Sequence, residues 1–217
     1  MKRRKLEEYR RVDGLAVVGG EAPEPRNLEP WLQGNPLCVA ADSGLDTARR
    51  LGLEASVVVG DMDSISDPSL LRGFREEQVR SVPPDKDETD TELALAVLRE
   101  HRCRRVLVVG GGGGRMDHLL AILALFERGD HPAAWITAHD EIISVDEGID
   151  LVDMKEARVS FFPIGPETCT MRSHGLKWPL DALTWRHGDH GVSNMVTAGH
   201  ASVDVVTGRL LMVRRLA

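Results

Sequence analysis

The chain has 217 residues, with 27 Lys plus Arg against 34 Asp plus Glu, a formal charge of −7. That acidic balance excludes broad nucleic-acid binding, which draws on positive surface to displace counterions. Aromatic residues, at 4%, are too sparse for a base-stacking platform. The apolar residues, 42% of the chain, are spread along its whole length. This excludes disorder and allows one large or two small domains.

The amino-terminal stretch carries Lys2, Arg3, Arg4, Lys5, Arg10 and Arg11. No apolar stretch of signal-peptide length follows, so a solvated, partly frayed end is expected. No apolar run approaches the roughly 20 residues of a membrane helix. Cys38, Cys103 and Cys169 are far apart and outside any Cys-x-x-Cys spacing. They read as buried free thiols of a cytoplasmic protein with no membrane partner.

From about residue 15 to 137 one pattern repeats: a short β-branched apolar run stops at glycine or aspartate, and a helical pattern follows. Residues 15–18 run into Gly19 and Gly20. Residues 37–41 run into Asp42, Ser43 and Gly44, then a helical 45–51. Residues 57–59 run into Gly60, Asp61 and Asp63, and 106–109 run into five glycines at 110–114 before an apolar 118–126. Strands apolar on both faces belong to a parallel sheet covered by helices, a doubly wound α/β domain. Ligands bind such sheets beyond the carboxyl ends of the strands, where these aspartates and glycines lie. Gathered carboxylates repel one another unless a cation is present.

After about residue 141 the pattern changes to short strands at 142–145, 149–152, 158–162, 182–185, 201–206 and 209–213, with turn residues between and no helices. A smaller all-β sandwich or flattened barrel is expected. The domains are then an α/β domain over residues 1–140 and a β domain over 141–217.

The densest chemistry is Gly60-Asp61-Met62-Asp63-Ser64, followed by Asp85-Lys86-Asp87-Glu88-Thr89-Asp90. If the first piece continues extended from its strand, Asp61 and Asp63 face the same side and form a hard oxygen site for Mg²⁺. An EF-hand does not fit, because Ile65 stands at a ligand position and Ser66 replaces the required glycine. In the second piece Thr89 and Glu92 have capping-box spacing, and Leu93, Ala94, Val97 and Leu98 form the buried face. Asp90 falls at the positive end of that helix. Lys86 among the acids suits a polyphosphate, whose remaining charge an ammonium neutralises. The glycine run followed by Arg115, Asp117 and His118 offers backbone N–H groups and a helix start to a phosphate, although it matches neither a P-loop nor a dinucleotide fingerprint.

These blocks resemble the signatures of the thiamine pyrophosphokinase family: Ala41-Asp42-Ser43-Gly44, Gly60-Asp61-Met62-Asp63-Ser64-Ile65, the segment from Asp85 to Ala94, and Gly113-Gly114-Arg115-Met116-Asp117-His118. Gly175-Leu176-Lys177-Trp178-Pro179-Leu180 and Gly191-Val192-Ser193-Asn194 continue the resemblance, in family order. It implies an α/β catalytic domain that binds ATP, a β-sandwich domain that binds thiamine, and a homodimer with active sites at the subunit interface. It also implies Mg²⁺-dependent diphosphate transfer from ATP to thiamine, with release of AMP. Asp61, Asp63 and Asp90 would hold the metal, helped by Asp42 and Asp87, while Lys86 and Arg115 stabilise the transferring group. Asp42, Ser43, Gly44, Gly113, Gly114, Asp117 and His118 would line the nucleotide, and Asp87 or Asp117 would take the hydroxyl proton. Trp178, Ser193 and Asn194 would face thiamine in the other subunit's site. Ser43, Asp46 and Met195 depart from the family's usual Gly, Asn and Glu. A hydroxymethylpterin-directed diphosphokinase and a non-catalytic thiamine or nucleotide sensor are the alternatives.

Overall fold

The computed structural model describes residues 3–216, which divide into two compact units. Residues 11–122 and 135–139 form an α/β unit; residues 3–10, 123–134 and 140–216 form a β unit. The division is discontinuous and differs from a single cut at 140/141. The chain opens in the β unit with β1 (Arg4–Lys5) and α1 (Leu6–Tyr9).

The α/β unit then runs β2 (Gly14–Val17), α2 (Pro25–Leu28), β3 (Leu37–Ala41), α3 (Gly44–Arg50), β4 (Val57–Gly60), β5 (Val79–Ser81), α4 (Asp90–Glu100), β6 (Val106–Val109), α5 (Met116–Leu125) and β7 (Ala134–Ile136). The divide between the units falls at the ends of α5 and β7. The strand order is β7-β6-β2-β3-β4-β5, with β2, β3, β4, β5 and β6 paired in parallel. The chain moves outward from β2 to β5, then returns to β6 on the other side of β2. That reversal is the doubly wound pattern and places a switch point between β2 and β6. β2, β4 and β6 are buried along their whole length, as a sheet covered on both faces requires. Thr89 caps α4 through the expected box with Glu92, and Ala94, Leu95, Val97 and Leu98 are buried. Leu95 replaces Leu93 in that buried set.

The β unit contains β8 (Asp140–Val145), β9 (Gly148–Val152), β10 (Arg158–Ile164), β11 (Cys169–His174), β12 (Thr184–Trp185), β13 (Gly191–Met195), β14 (His200–Thr207) and β15 (Arg209–Arg215). One sheet runs β13-β10-β15-β8 and the other β1-β9-β14-β11-β12. All pairs in it are antiparallel except β1 with β9. The expected strand at 182–185 shrinks to two residues, with Ala182 in the left-handed region at φ 60. Sequence reading overlooked β11 and β13. Both carry polar residues that break an apolar run, yet Cys169, Met171 and Asn194 are buried.

The amino-terminal stretch is not frayed where it is described; Lys2 lies outside the described residues. β1 pairs with β9, and the Tyr9 hydroxyl donates to the Gly148 carbonyl at 3.0 Å. Arg3 forms two hydrogen bonds to Asp204, at 2.6 and 2.7 Å. Arg10 Nε donates to Glu141 at 2.8 Å, and Arg214 donates to the other oxygen of this fully buried carboxylate. Basic residues that look like a solvated end are therefore partners of acids far along the chain. Removing one member of a buried ionic cluster strands the others, at roughly 3–5 kcal/mol. Glu141→Ala is accordingly expected to lose about 3 kcal/mol of unfolding free energy in urea titration.

The hydrogen bonds from Arg3 also hold Asp204 below its usual carboxylate range. A depressed folded pKa gives stability that is complete above the unfolded value and fades as pH falls through the folded one. Arg3→Gln is expected to cost about 1 kcal/mol at neutral pH. The gap to the parent protein should close below a pH of about 3.9, measured by urea unfolding across a pH series.

Candidate active site

Three carboxylates converge at the carboxyl ends of β3 and β4: one oxygen each of Asp42, Asp61 and Asp90 lie within 4.8 Å of one another. Asp42 follows β3, Asp61 follows β4, and Asp90 begins α4, which packs against β2, β3 and β4. The backbone is bent to achieve this. Asp42 sits at φ 47 and Gly60 at φ 143. A Cβ on Gly60 would come within 3.0 Å of the Asp42 Cβ and 3.2 Å of Asp90 Oδ1.

Asp63 does not join the trio. The expectation that Asp61 and Asp63 share one side assumed extended backbone, but Met62 lies at φ 64 and turns the chain between them. Asp63 is exposed and accepts a hydrogen bond from Ser64 Oγ at 2.8 Å. Asp87 is exposed and also outside the trio.

The electrostatics of the trio favour a cation. Burial pushes the Asp42 carboxyl up, against hydrogen bonds from the Ser43 and Ser64 backbone, and the charge of Asp90 pushes the same way as burial. Asp90 Oδ1 is shut off from solvent and has no hydrogen-bond partner. Lys86 Nζ lies 3.0 Å from it, close enough for charge pairing without hydrogen-bond angles. A buried carboxylate oxygen left without a hydrogen bond, beside two more carboxylates, fits a hard divalent cation such as Mg²⁺.

The glycine loop is more committed to the fold than its sequence suggests. Gly110 N donates to the Ile136 carbonyl at 3.0 Å, Gly111 N to Gly19 at 2.8 Å, and Gly112 N to Glu21 at 3.2 Å. Beyond these, Gly113 and Gly114 are exposed, as are Arg115, Asp117 and His118. Arg115 grips Asp117 at 3.1 Å and 2.5 Å, and this holds Asp117 down at about 2. His118 N donates to Asp117 as well. Gly44 is buried with Val17 O where a Cβ would be. Ser43 Oγ lies 2.3 Å from where a Cβ on Gly19 would sit, so the bulk at 43 is met by the bare Cα of Gly19.

In the β unit, Trp178 is 52% exposed and Lys177 Nζ lies 4.6 Å above its ring. Asn194 is buried and clamps the Trp178 backbone: Oδ1 accepts from Trp178 N at 3.2 Å, and Nδ2 donates to Trp178 O at 2.7 Å. Asn194 thus presents Trp178, and Ser193, at φ 58, is exposed beside it. Sequence reasoning missed the clamp because a buried amide in an edge strand looks like any polar residue. It also missed Glu21, whose carboxylate lies against Gly113 with His139 3.8 Å away.

The sequence matches the thiamin pyrophosphokinase catalytic domain over residues 28–138 and the thiamin pyrophosphokinase vitamin B1 binding domain over residues 141–211. The chain belongs to the thiamine pyrophosphokinase family. It is accordingly an ATP-dependent diphosphotransferase, and the pterin and sensor alternatives are not favoured. The thiamine pyrophosphokinase of Bacillus subtilis is 27% identical over 209 residues, covering 91% of this chain and 96% of that protein. Thiamine pyrophosphokinase 2 of Oryza sativa is 27% identical over 169 residues, covering 68% of this chain and 60% of its own length. In fold, the crystal structure of the Bacillus subtilis enzyme superposes with a TM-score of 0.77 at 23% identity, covering 94% of this chain and 98% of that one. The Candida albicans enzyme gives 0.74 at 14% identity, covering 100% and 93%.

Gly60 is the position where the trio tolerates least. Gly60→Ala is expected to cost about 1–3 kcal/mol of stability through backbone strain, read by urea unfolding. Displacing Asp42 and Asp90 should also lower turnover by roughly a hundredfold, read as AMP release.

Proposed function

We propose that this chain transfers the terminal diphosphate of ATP to the hydroxyl of thiamine, releasing AMP, with Mg²⁺ held by Asp42, Asp61 and Asp90. The observation that carries the assignment of the metal site is the convergence of those three acids around an Asp90 oxygen that is shut off from solvent and makes no hydrogen bond. Asp63, on the same loop, is turned out to solvent and accepts from Ser64, so it would join the ligand set only if the turn at Met62 changed. Mg²⁺ held by the trio would supply positive charge against that of the phosphates.

The chain's own residues supply the rest. Lys86, nearly buried against Asp90, presents its ammonium to the transferring group, and Arg115 presents its guanidinium from the solvent side. Gly113 and Gly114 offer backbone to the nucleotide, with Asp42, Ser43, Gly44 and His118 along the same rim. The thiamine hydroxyl attacks the β-phosphorus and AMP leaves; positioning and electrostatics do most of the catalysis. Asp117 is a poor proton acceptor, because Arg115 holds it at about 2. Asp87 takes the proton in this reading. Trp178 stacks on the cationic thiazolium, a reading supported by the cation already lying over its ring. Ser193 contacts thiamine beside it, and Asn194 sets the Trp178 backbone.

Two further parts of the proposal concern assembly and place. A homodimer, with each active site completed at the subunit interface, is supported by exposed Met116, Leu120 and Leu123 along one face of α5 and by exposed Trp178 and Val192. A reducing cytoplasm is supported by three free cysteines, with burial pushing Cys38 up to about 12 and Cys169 up to about 11. Among the described residues no helix is long and apolar enough to cross a membrane.

The deciding experiment is thiamine-dependent AMP release under varied Mg²⁺. Asp61→Asn and Asp90→Asn are expected to lower it by about a hundredfold or more, with the Mg²⁺ requirement shifted upward. Unchanged release in both would remove the metal role of the trio. Trp178→Ala is expected to raise the thiamine KM roughly tenfold while leaving that for ATP unmoved, and Trp178→Phe to restore most of it.

A further inference from the structure

The loop carrying Asp61 is held from outside by one side chain of α3. Asp46, in the first turn of that helix, accepts two hydrogen bonds from a single residue beyond the acidic stretch: Ser66 N to Oδ2 at 2.9 Å and Ser66 Oγ to Oδ1 at 2.6 Å. Between the two ends of the loop, Ile65 is buried in an apolar cluster with Ala40, Leu45 and Val58, and Met62 packs against it. Ser64 N lies 3.4 Å from Asp42 Oδ1. The segment from Asp61 to Ser66 is thus fixed at its far end by Asp46 beside the buried Ile65, with Met62 packed nearer its start.

We infer that Asp46 is a positioning residue for the divalent-cation site, holding the 61–66 loop so that Asp61 meets Asp42 and Asp90. This rests on the reading of the acid trio as that site. The geometry explains why a tether is needed. Three like charges repel, and Met62 turns the chain sharply just after Asp61, so the loop has a standing tendency to swing outward. A second carboxylate far enough from the trio to stay out of it, gripping the loop by two bonds, opposes that motion. The bonds need acceptor geometry and not charge. An asparagine can accept from Ser66 N through its oxygen and donate to Ser66 Oγ through its amide, so Asn keeps the tether and Ala loses it.

The test is Mn²⁺ binding to the full-length protein by titration calorimetry, alongside the Mg²⁺ dependence of AMP release and the thermal midpoint. Asp46→Ala is expected to weaken Mn²⁺ binding about tenfold and raise the Mg²⁺ needed for half-maximal turnover by a similar factor, with the thiamine KM unmoved. Asp46→Asn should stay near the parent protein, and Ser66→Ala should fall between. Asp46→Ala that is folded and binds Mn²⁺ as the parent does overturns the inference. So does Asp46→Asn losing as much as Asp46→Ala, which would make the effect one of charge. If Asp46→Ala does not fold, Ser66→Ala and Asp46→Asn decide by the same criteria. Asp61→Asn separates the two levels: if it too leaves Mn²⁺ binding unchanged, the trio is not the metal site, whereas a loss there with none at Asp46 overturns the tether alone.

Discussion

Mutual repulsion among three carboxylates is the constraint around which the α/β unit is arranged. Like charges a few ångströms apart in a partly dry setting do not gather spontaneously; each raises the cost of ionising its neighbours. Asp42, Asp61 and Asp90 are brought together nonetheless, because each is attached to an element whose place is fixed by burial elsewhere. β4 is buried throughout and β3 along all but its first residue. α4 is seated by Ala94, Leu95, Val97 and Leu98 and started at a defined residue by the Thr89 cap. The apolar core thus holds acids that would otherwise separate, and Lys86 offsets part of their charge.

The same constraint accounts for where backbone strain is found. Asp42 and Met62 occupy the left-handed region on either side of Gly60, which itself needs a φ that side chains rarely adopt. Asp tolerates that region better than most residues; Met does not, so the turn at Met62 has to be held by its surroundings. Its side chain packs against the cluster of Ala40, Leu45, Val58 and Ile65. Local strain and local packing here belong to one device, and it aims one aspartate inward while sending the next outward.

Much of this is legible in the sequence itself. Buried β-branched runs ending at Asp42, Gly60 and Gly110 announce parallel strands and their carboxyl ends, because a sheet covered on both faces leaves little room for polar residues within its strands. The capping box at Thr89 and Glu92 is local chemistry and reads directly. The fate of Asp63 is not local. Spacing of two implies a shared face only while the backbone stays extended, and nothing in Asp-Met-Asp reveals a left-handed Met62. The partners of Arg3 and Arg10 lie 201 and 131 residues away, so composition alone made an exposed tail of what is a paired strand. The Asn194 clamp was hidden for a related reason. Family resemblance marks the residue, while its buried amide and both its bonds to Trp178 depend on how β13 lies beside the preceding loop.

The five-glycine run shows how one sequence feature can have two causes. At 110–112 the N–H groups are spent on Ile136, Gly19 and Glu21, so these residues weld the loop after β6 to the loop after β2 at the switch point of the sheet. At Gly113 a Cβ would lie 2.5 Å from the exposed Glu21 side chain, which can give way, so the φ of 68 is what calls for glycine. At Gly114 nothing lies within 4 Å of the missing Cβ, and its φ of 70 is likewise the reason for glycine. The first three residues of the run therefore serve the architecture, and the last two turn the chain into open space just before Arg115. A loop that was glycine-rich only to admit a ligand would keep its N–H groups unspent. This one commits them early and leaves its end, with Arg115 and Asp117 paired, open to solvent. That is the arrangement by which a rigid switch point can present a cationic side chain, paired with Asp117, to solvent.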